Sequence, residues 1–258
     1  MDFSALQPAL RLTARALPRL VLGGLGAMAA ISGLSGCQAV SSATTAVAQV
    51  RIIDATPDAG GLDIYAGNSA IAYNLGFGTI TSYIPMTPST YTFAADSAGT
   101  RTALTSIRAT VATGKQYTLL LSNIAASIQS QVLVDQSQPA PSGQISLRFL
   151  NEAVSPGALD LYLVPSGSTL AKVNPIQTGV VFGTNTGYLN VPVGTYTLYV
   201  VSNGTVISTT TVPLYTGAST TYSAGAARTI VILDQQIVTS PALQVVTTND
   251  YDSATATQ

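Results

Sequence analysis

The chain writes one pattern twice. Phe77-Gly78-Thr79, then Tyr83, then Thr90-Tyr91-Thr92-Phe93 returns as Phe182-Gly183-Thr184, then Tyr188, then Thr195-Tyr196-Thr197-Leu198. Phe-to-Tyr is six residues and Tyr-to-Tyr is eight in both copies. Upstream, Leu62-Asp63-Ile64-Tyr65 reappears as Leu159-Asp160-Leu161-Tyr162, and Arg51 reappears as Arg148. Self-similarity of this kind constrains the fold more than composition does, because it demands two copies of one supersecondary unit. The copies occupy residues 50–136 and 145–248. Each is long enough for a small domain with its own core, so each is expected to fold alone.

Charged residues make up only 8% and apolar residues 47%, the reverse of a disordered composition. Glu occurs once, at Glu152. Helical surfaces are usually filled with Glu, Lys and Arg, so the scarcity of these residues favours an all-β chain. Val50-Arg51-Ile52-Ile53 reads as a strand. Leu62-Asp63-Ile64-Tyr65 alternates apolar and polar, as a half-buried strand does. Further strands are expected near 70–75, 80–84, 89–95, 103–110, 116–122 and 130–134, a short spacing that means a sandwich or barrel. Asn203-Gly204 predicts a hairpin between Thr195–Val201 and Thr205–Val212. Residues 137–144, with Pro139 and Pro141, read as a semi-rigid linker, and 249–258 as a disordered tail.

Residues 1–19 carry Arg11, Arg15 and Arg19, and 20–33 are apolar and small. A positive segment followed by a run too short to span a bilayer comfortably has the layout of a signal peptide. It ends in Leu34-Ser35-Gly36-Cys37, which resembles the lipobox of bacterial lipoproteins. The resemblance implies cleavage of residues 1–36, acyl chains on Cys37 and a tether over 37–49. Two or three acyl chains bury many methylenes at about 0.8 kcal/mol each, enough for stable anchoring. Gln38 behind the cysteine resembles the enterobacterial pattern for the outer membrane. Cys37 is the only cysteine, so an intrachain disulfide is excluded. The signal segment takes Arg11, Arg15, Arg19 and Asp2 from 10 basic and 11 acidic residues, leaving seven and ten. A mildly acidic body without a basic cluster excludes nucleic acid as the expected partner.

Residues 50–65, Val-Arg-Ile-Ile-Asp-Ala-Thr-Pro-Asp-Ala-Gly-Gly-Leu-Asp-Ile-Tyr, resemble the opening signature of the bacterial domain-of-unknown-function 4397 family. Thr90-Tyr91-Thr92 resembles its later strand. Module two departs, with Asn151-Glu152-Ala153-Val154-Ser155-Pro156 at the matching turn. The resemblance implies a secreted or envelope β-sandwich and no particular activity. The expected architecture is therefore two tandem immunoglobulin-like or prealbumin-like antiparallel β-sandwich modules after a cleaved signal peptide.

His is absent, which excludes Ser-His-Asp triads and His metal sites. Arg51 with Asp63, and Arg148 with Asp160, sit on the polar phase of neighbouring strands and are expected to form structural ion pairs. Asp54, Asp58 and Asp63 surround one turn and are weak calcium candidates; capping of the turn backbone is the ordinary reading. The repeated Phe and Tyr residues are read as core or cross-strand fillers rather than a sugar-stacking platform. The expectation is a non-catalytic envelope lipoprotein with no cofactor. It would act as a structural or binding module, with an envelope protein or a glycan as partner. The alternatives are a carbohydrate-binding accessory protein and a carboxylate-based hydrolase.

Overall fold

The computed structural model describes residues 47–235 and 242–252. The expected signal peptide, Cys37 and the tether up to residue 46 lie outside them, as do residues 253–258. Module one contains β1 (Ala48–Ala55), β2 (Leu62–Ala66), β3 (Ser69–Leu75), β4 (Ile84–Met86), β5 (Ser89–Ser97), β6 (Ala103–Val111), β7 (Gln116–Ser122) and β8 (Gln129–Val134). Module two contains β9 (Gln144–Asn151), β10 (Leu159–Pro165), β11 (Gln177–Val180), β12 (Thr184–Pro192), β13 (Gly194–Ser202), β14 (Tyr215–Thr216), β15 (Thr220–Tyr222), β16 (Ala227–Asp234) and β17 (Leu243–Tyr251). The all-β sandwich expectation holds. Among the described residues, no helix is long and apolar enough to cross a membrane.

Each module is a pair of sheets. In module one an inner sheet, β4-β1-β7-β8, packs on an outer sheet, β3-β2-β5-β6. Module two repeats this with an inner sheet β12-β9-β16-β17 and an outer sheet built on β11-β10-β13-β14. Pairing is antiparallel except for β1 with β7 and β9 with β16, which run parallel. A parallel pair needs a long crossover connection. Here the outer sheet supplies it, since β2, β3, β5 and β6 all lie between β1 and β7 in the chain.

The two inner sheets also pack on each other, giving four layers. On β1, Val50 and Ile52 enter the core of module one, while Ile53 and Ala55 enter a third cluster with Leu120, Leu150, Val231 and Leu233. On β9, Ile145, Leu147 and Phe149 enter the core of module two, while Leu150 joins the third cluster. A strand alternates its side chains between faces, so an inner strand here has no solvent face. Both modules fall within one compact unit, Thr44–Gln258.

Three local expectations are corrected. The strand expected near 80–84 is displaced: Ile80 makes an isolated bridge to Ile53, and the strand that pairs with β1 is β4 at Ile84–Met86. The Asn203-Gly204 turn forms, with Gly204 at φ 77°, but residues 205–212 do not pair as a strand; β13 pairs instead with β14 and β15. The expected tail is ordered through Asp252. Residues 249–251 belong to β17, and the Arg228 guanidinium donates to the Tyr251 carbonyl at 2.7 Å and pairs with Asp252.

Candidate functional site

The repeated arginines converge where the inner sheets meet. Arg51 and Arg148 are 1% and 2% exposed, and a buried guanidinium must find several acceptors. Arg51 donates through Nε to Thr118 Oγ1 at 2.9 Å and through a terminal nitrogen to Asp250. Arg148 donates through Nε to Thr229 Oγ1 at 3.0 Å and through a terminal nitrogen to Asp135 Oδ1 at 2.5 Å. Thr118 donates onward to Asp135 at 2.7 Å, and Thr229 to Asp250 at 2.6 Å. The result is a closed ring: Arg51, Thr118, Asp135, Arg148, Thr229, Asp250 and back to Arg51. It crosses between the modules twice, and its two positive and two negative charges cancel.

Tyrosines complete the ring. Tyr83 donates to Asp135 Oδ2 at 2.7 Å and Tyr188 to Asp250 Oδ2 at 2.9 Å. The Arg51 guanidinium lies 4.9 Å from the Tyr83 ring centre, and that of Arg148 4.8 Å from Tyr188. The tyrosine placement follows from register: Tyr188 lies opposite Arg148 on the neighbouring strand, and Ile84, next to Tyr83, lies opposite Val50. Burial opposes charge on Arg51, but Asp135 and Asp250 outweigh it and raise the group above its ordinary value. Burial, followed by the carboxylate of Asp135, raises Tyr83; burial is also the first cause for Tyr188. Both phenols stay neutral donors. A groove of about 480 Å³ opens beside Arg51, lined by Thr81, Ser82, Tyr83, Thr248 and Asn249. Arg51 is already committed there, donating to Thr248 Oγ1 at 2.8 Å and to the Asn249 carbonyl at 3.0 Å.

The expected pairs of Arg51 with Asp63 and of Arg148 with Asp160 are therefore corrected. The reason is layering: β1 and β9 lie in inner sheets with their arginines turned to the other module, whereas β2 and β10 lie in outer sheets. Asp63 instead accepts backbone N–H groups from Asn74 at 2.8 Å and Gly99 at 2.9 Å, which hold its carboxyl below the usual range. Asp160 accepts from Gly179 N, Asn203 Nδ2 and Gly204 N. These donors outweigh burial and also lower it. Each carboxylate ties the neighbouring strand on one side, β3 or β11, to the loop that follows the neighbouring strand on the other, β5 or β13.

The calcium candidates do not converge. Asp54 Oδ1 accepts from Thr56 N at 2.9 Å and Thr56 Oγ1 at 2.5 Å, an Asx turn. Asp58 accepts from Ala125 N, and Asp63 holds its own loops. Among the described residues no group of three or more acidic, Cys or His side chains is placed to hold a metal. Two acids stand apart. Burial pushes Asp54 up to about 6 and Glu152 up to about 7. Among the described residues, Asp54 Oδ2 and Glu152 Oε2 have no hydrogen-bond partner.

Asp135 and Asp250 were not legible as site residues, because they lie at the margins assigned to linker and tail. The available signal was their repetition, each a short way beyond a repeated Thr at 118 and 229.

With the fold and the ring defined, the class is a tandem β-sandwich protein whose modules are fastened through a buried polar ring. The family described as Domain of unknown function (DUF4397) matches residues 48–162, which cover module one and run into β10. That match supports the family for this part of the chain. No curated protein matches the chain. Among solved structures it is similar to a streptococcal virulence factor described for alpha-glucan binding, at 12% identity and TM-score 0.21, over 59% of this chain and 79% of that one. The Bacillus anthracis TIE protein gives 12% identity and TM-score 0.24 over 79% and 44%. The family CBM26 module CBMbc of Eubacterium rectale Amy13K, in complex with maltoheptaose, gives 10% and 0.21 over 81% and 98%. At these TM-scores the likenesses carry no functional argument.

Proposed function

We propose that the chain is a non-catalytic lipoprotein of the bacterial cell envelope, tethered to the outer membrane through lipid on Cys37, whose two modules act as one rigid binding or structural body. The anchoring rests on Leu34-Ser35-Gly36-Cys37 behind the apolar run, and the observation that carries the rigid, non-catalytic body is the closed ring. Two arginines, two aspartates and two tyrosines have their polar atoms engaged with one another and with two threonines, and the Arg51–Asp250 and Arg148–Asp135 contacts fasten module to module. The remaining repeated carboxylates, Asp63 and Asp160, are committed to loop backbone. The hydrolase alternative finds less support. Asp54 and Glu152, the acids with raised pKa, are 0% and 2% exposed and do not line the groove beside Arg51.

The test is made on the chain produced in a bacterium. Mass spectrometry is expected to find a mature N-terminus at Cys37 carrying diacylglyceryl thioether, and Cys37→Ser to leave unprocessed precursor. A mature N-terminus elsewhere without lipid overturns the anchoring. A pull-down from envelope glycans and envelope proteins with the purified chain tests the binding role.

A further inference from the structure

The modules differ most in two loops. The connection from β2 to β3 is two residues, Gly67-Asn68, while that from β10 to β11 is 166–176. The connection from β5 to β6 is 98–102, while that from β13 to β14 is 203–214. Both long loops belong to module two, and both fold over the outer face of its outer sheet. Long loops cost ordering entropy and, in compact domains, usually carry function.

Beneath them lies a small apolar cluster of Tyr162, Val164 and Val201, packed by Leu170, Tyr199 and Ile207. In module one the counterpart of Tyr162 is Tyr65, and it is covered differently: the Arg101 guanidinium sits 4.2 Å from its ring centre. The cross-strand neighbour of Tyr65 is Ala94, whereas that of Tyr162 is Tyr199. Module two has thus replaced an arginine lid and an alanine by two loops and a second aromatic ring.

The loops enclose a pocket of about 280 Å³ lined by Leu170, Ala171, Tyr199, Ser208, Thr209 and Thr211. No lining residue is charged. The Tyr199 and Thr209 hydroxyls, and that of Thr169 at the rim, make no hydrogen bond to another described residue. An aromatic ring beside unengaged hydroxyls suits a ligand with both a C–H face and hydroxyl groups. The volume is near the lower end for small-molecule sites, too small for a folded partner.

We propose that this pocket binds a neutral saccharide ring, with Tyr199 against the C–H face and the loop hydroxyls meeting its hydroxyl groups. The inference rests on the binding-module reading and names its ligand class. The purified chain is titrated with glucose, galactose, mannose, N-acetylglucosamine and their oligomers, read by saturation-transfer NMR and calorimetry. At least one is expected to bind. Tyr199→Ala should weaken it at least tenfold. Ala171→Trp fills the pocket from an exposed position and should do the same with the melting temperature unchanged, which separates loss of binding from loss of fold. Failure of every saccharide overturns the inference, as does binding that Ala171→Trp leaves intact or displacement by an alkyl or uncharged peptide probe. Lipid on Cys37 and capture of an envelope protein, found alongside such a failure, would leave the wider reading standing.

Discussion

Arg51 and Arg148 show how a buried charge becomes structural. Removing one partner of such a pair strands the other, at about 3–5 kcal/mol. Arg51→Gln is therefore expected to cost about 3 kcal/mol or more in urea unfolding. In a double-mutant cycle with Asp250→Asn, coupling should exceed about 1 kcal/mol, whereas Arg51→Gln with Asp63→Asn should be additive within about 0.5 kcal/mol. Coupling to Asp63 in place of Asp250 would overturn the ring. Glu152 makes a pH-dependent statement. Its carboxyl rises from 4.5 to about 7 because it is buried. A carboxyl whose folded pKa lies above its unfolded one supports the fold fully below the unfolded value and loses that support as pH rises through the folded value. Glu152→Gln is thus expected to be more stable than wild type at about pH 8, by on the order of 1–3 kcal/mol in unfolding free energy, and to melt higher there, with the advantage vanishing below about pH 4.5. Asp54 acts in the same direction up to about 6. Asp63 and Asp160, lowered by their N–H donors, act oppositely and only in acid below the ordinary value of 3.8. A melting curve for Glu152→Gln parallel to wild type from pH 4 to 8 would contradict the burial account.

At the scale of elements, the repeated motif has a physical translation. Tyr91 donates to the Thr87 carbonyl at 2.9 Å and Tyr196 to the Pro192 carbonyl at 2.8 Å, each clasping the turn before its own strand. Gly78 and Gly183 take φ of 74° and 76° and donate to the carbonyls of Asp54 and Asn151. Phe-Gly-Thr is thus the return of the chain against the end of the first strand. An added Cβ at Gly183 meets nothing within 4 Å, while at Gly78 it meets Gln244 Nε2 at 3.3 Å. Gly183→Ala should cost about 1–2 kcal/mol from backbone conformation alone, and Gly78→Ala more, both read by thermal unfolding. Equal costs would mean that Gln244 moves aside freely. Most strand positions, the turns and the duplication were legible because they follow from local periodicity and turn chemistry; the strands expected near 80–84 and at 205–212 were not placed correctly. The layering was less so. Alternation in Ile145-Ser146-Leu147-Arg148-Phe149 looks like one buried and one wet face. Only the continuous apolar runs Leu119-Leu120-Leu121 and Ile230-Val231-Ile232-Leu233 hinted that inner strands are covered on both sides. The partners of Arg51 and Arg148 come from 199 and 13 residues away, a distance no local pattern encodes.

For the whole molecule, repetition and packing make opposite statements. Repetition implies two units that fold separately. Packing joins them through the apolar cluster of Ile53, Leu120, Leu150, Val231 and Leu233 and through the ring, whose shortest ion pairs run from one module to the other. Burying an aliphatic side chain contributes about 1.5–3 kcal/mol, so several such residues turned to water outweigh much of the 5–15 kcal/mol stability of a typical domain. Separation would also leave Arg148 without Asp135 and Arg51 without Asp250. Residues 44–143 and 144–258, made apart, are therefore expected to lose cooperative melting or to aggregate, and to recover near-native circular dichroism when mixed. Weakening the ring should act on this assembly first: mixing should fail when one half carries Arg148→Gln, while the same substitution in the intact chain, where the covalent link supplies a high effective concentration, should lower the melting temperature without abolishing the fold. Two halves that each melt cooperatively at the temperature of the intact chain would mean that the ring and the third apolar cluster add little, and that duplication preserved independent folding after all.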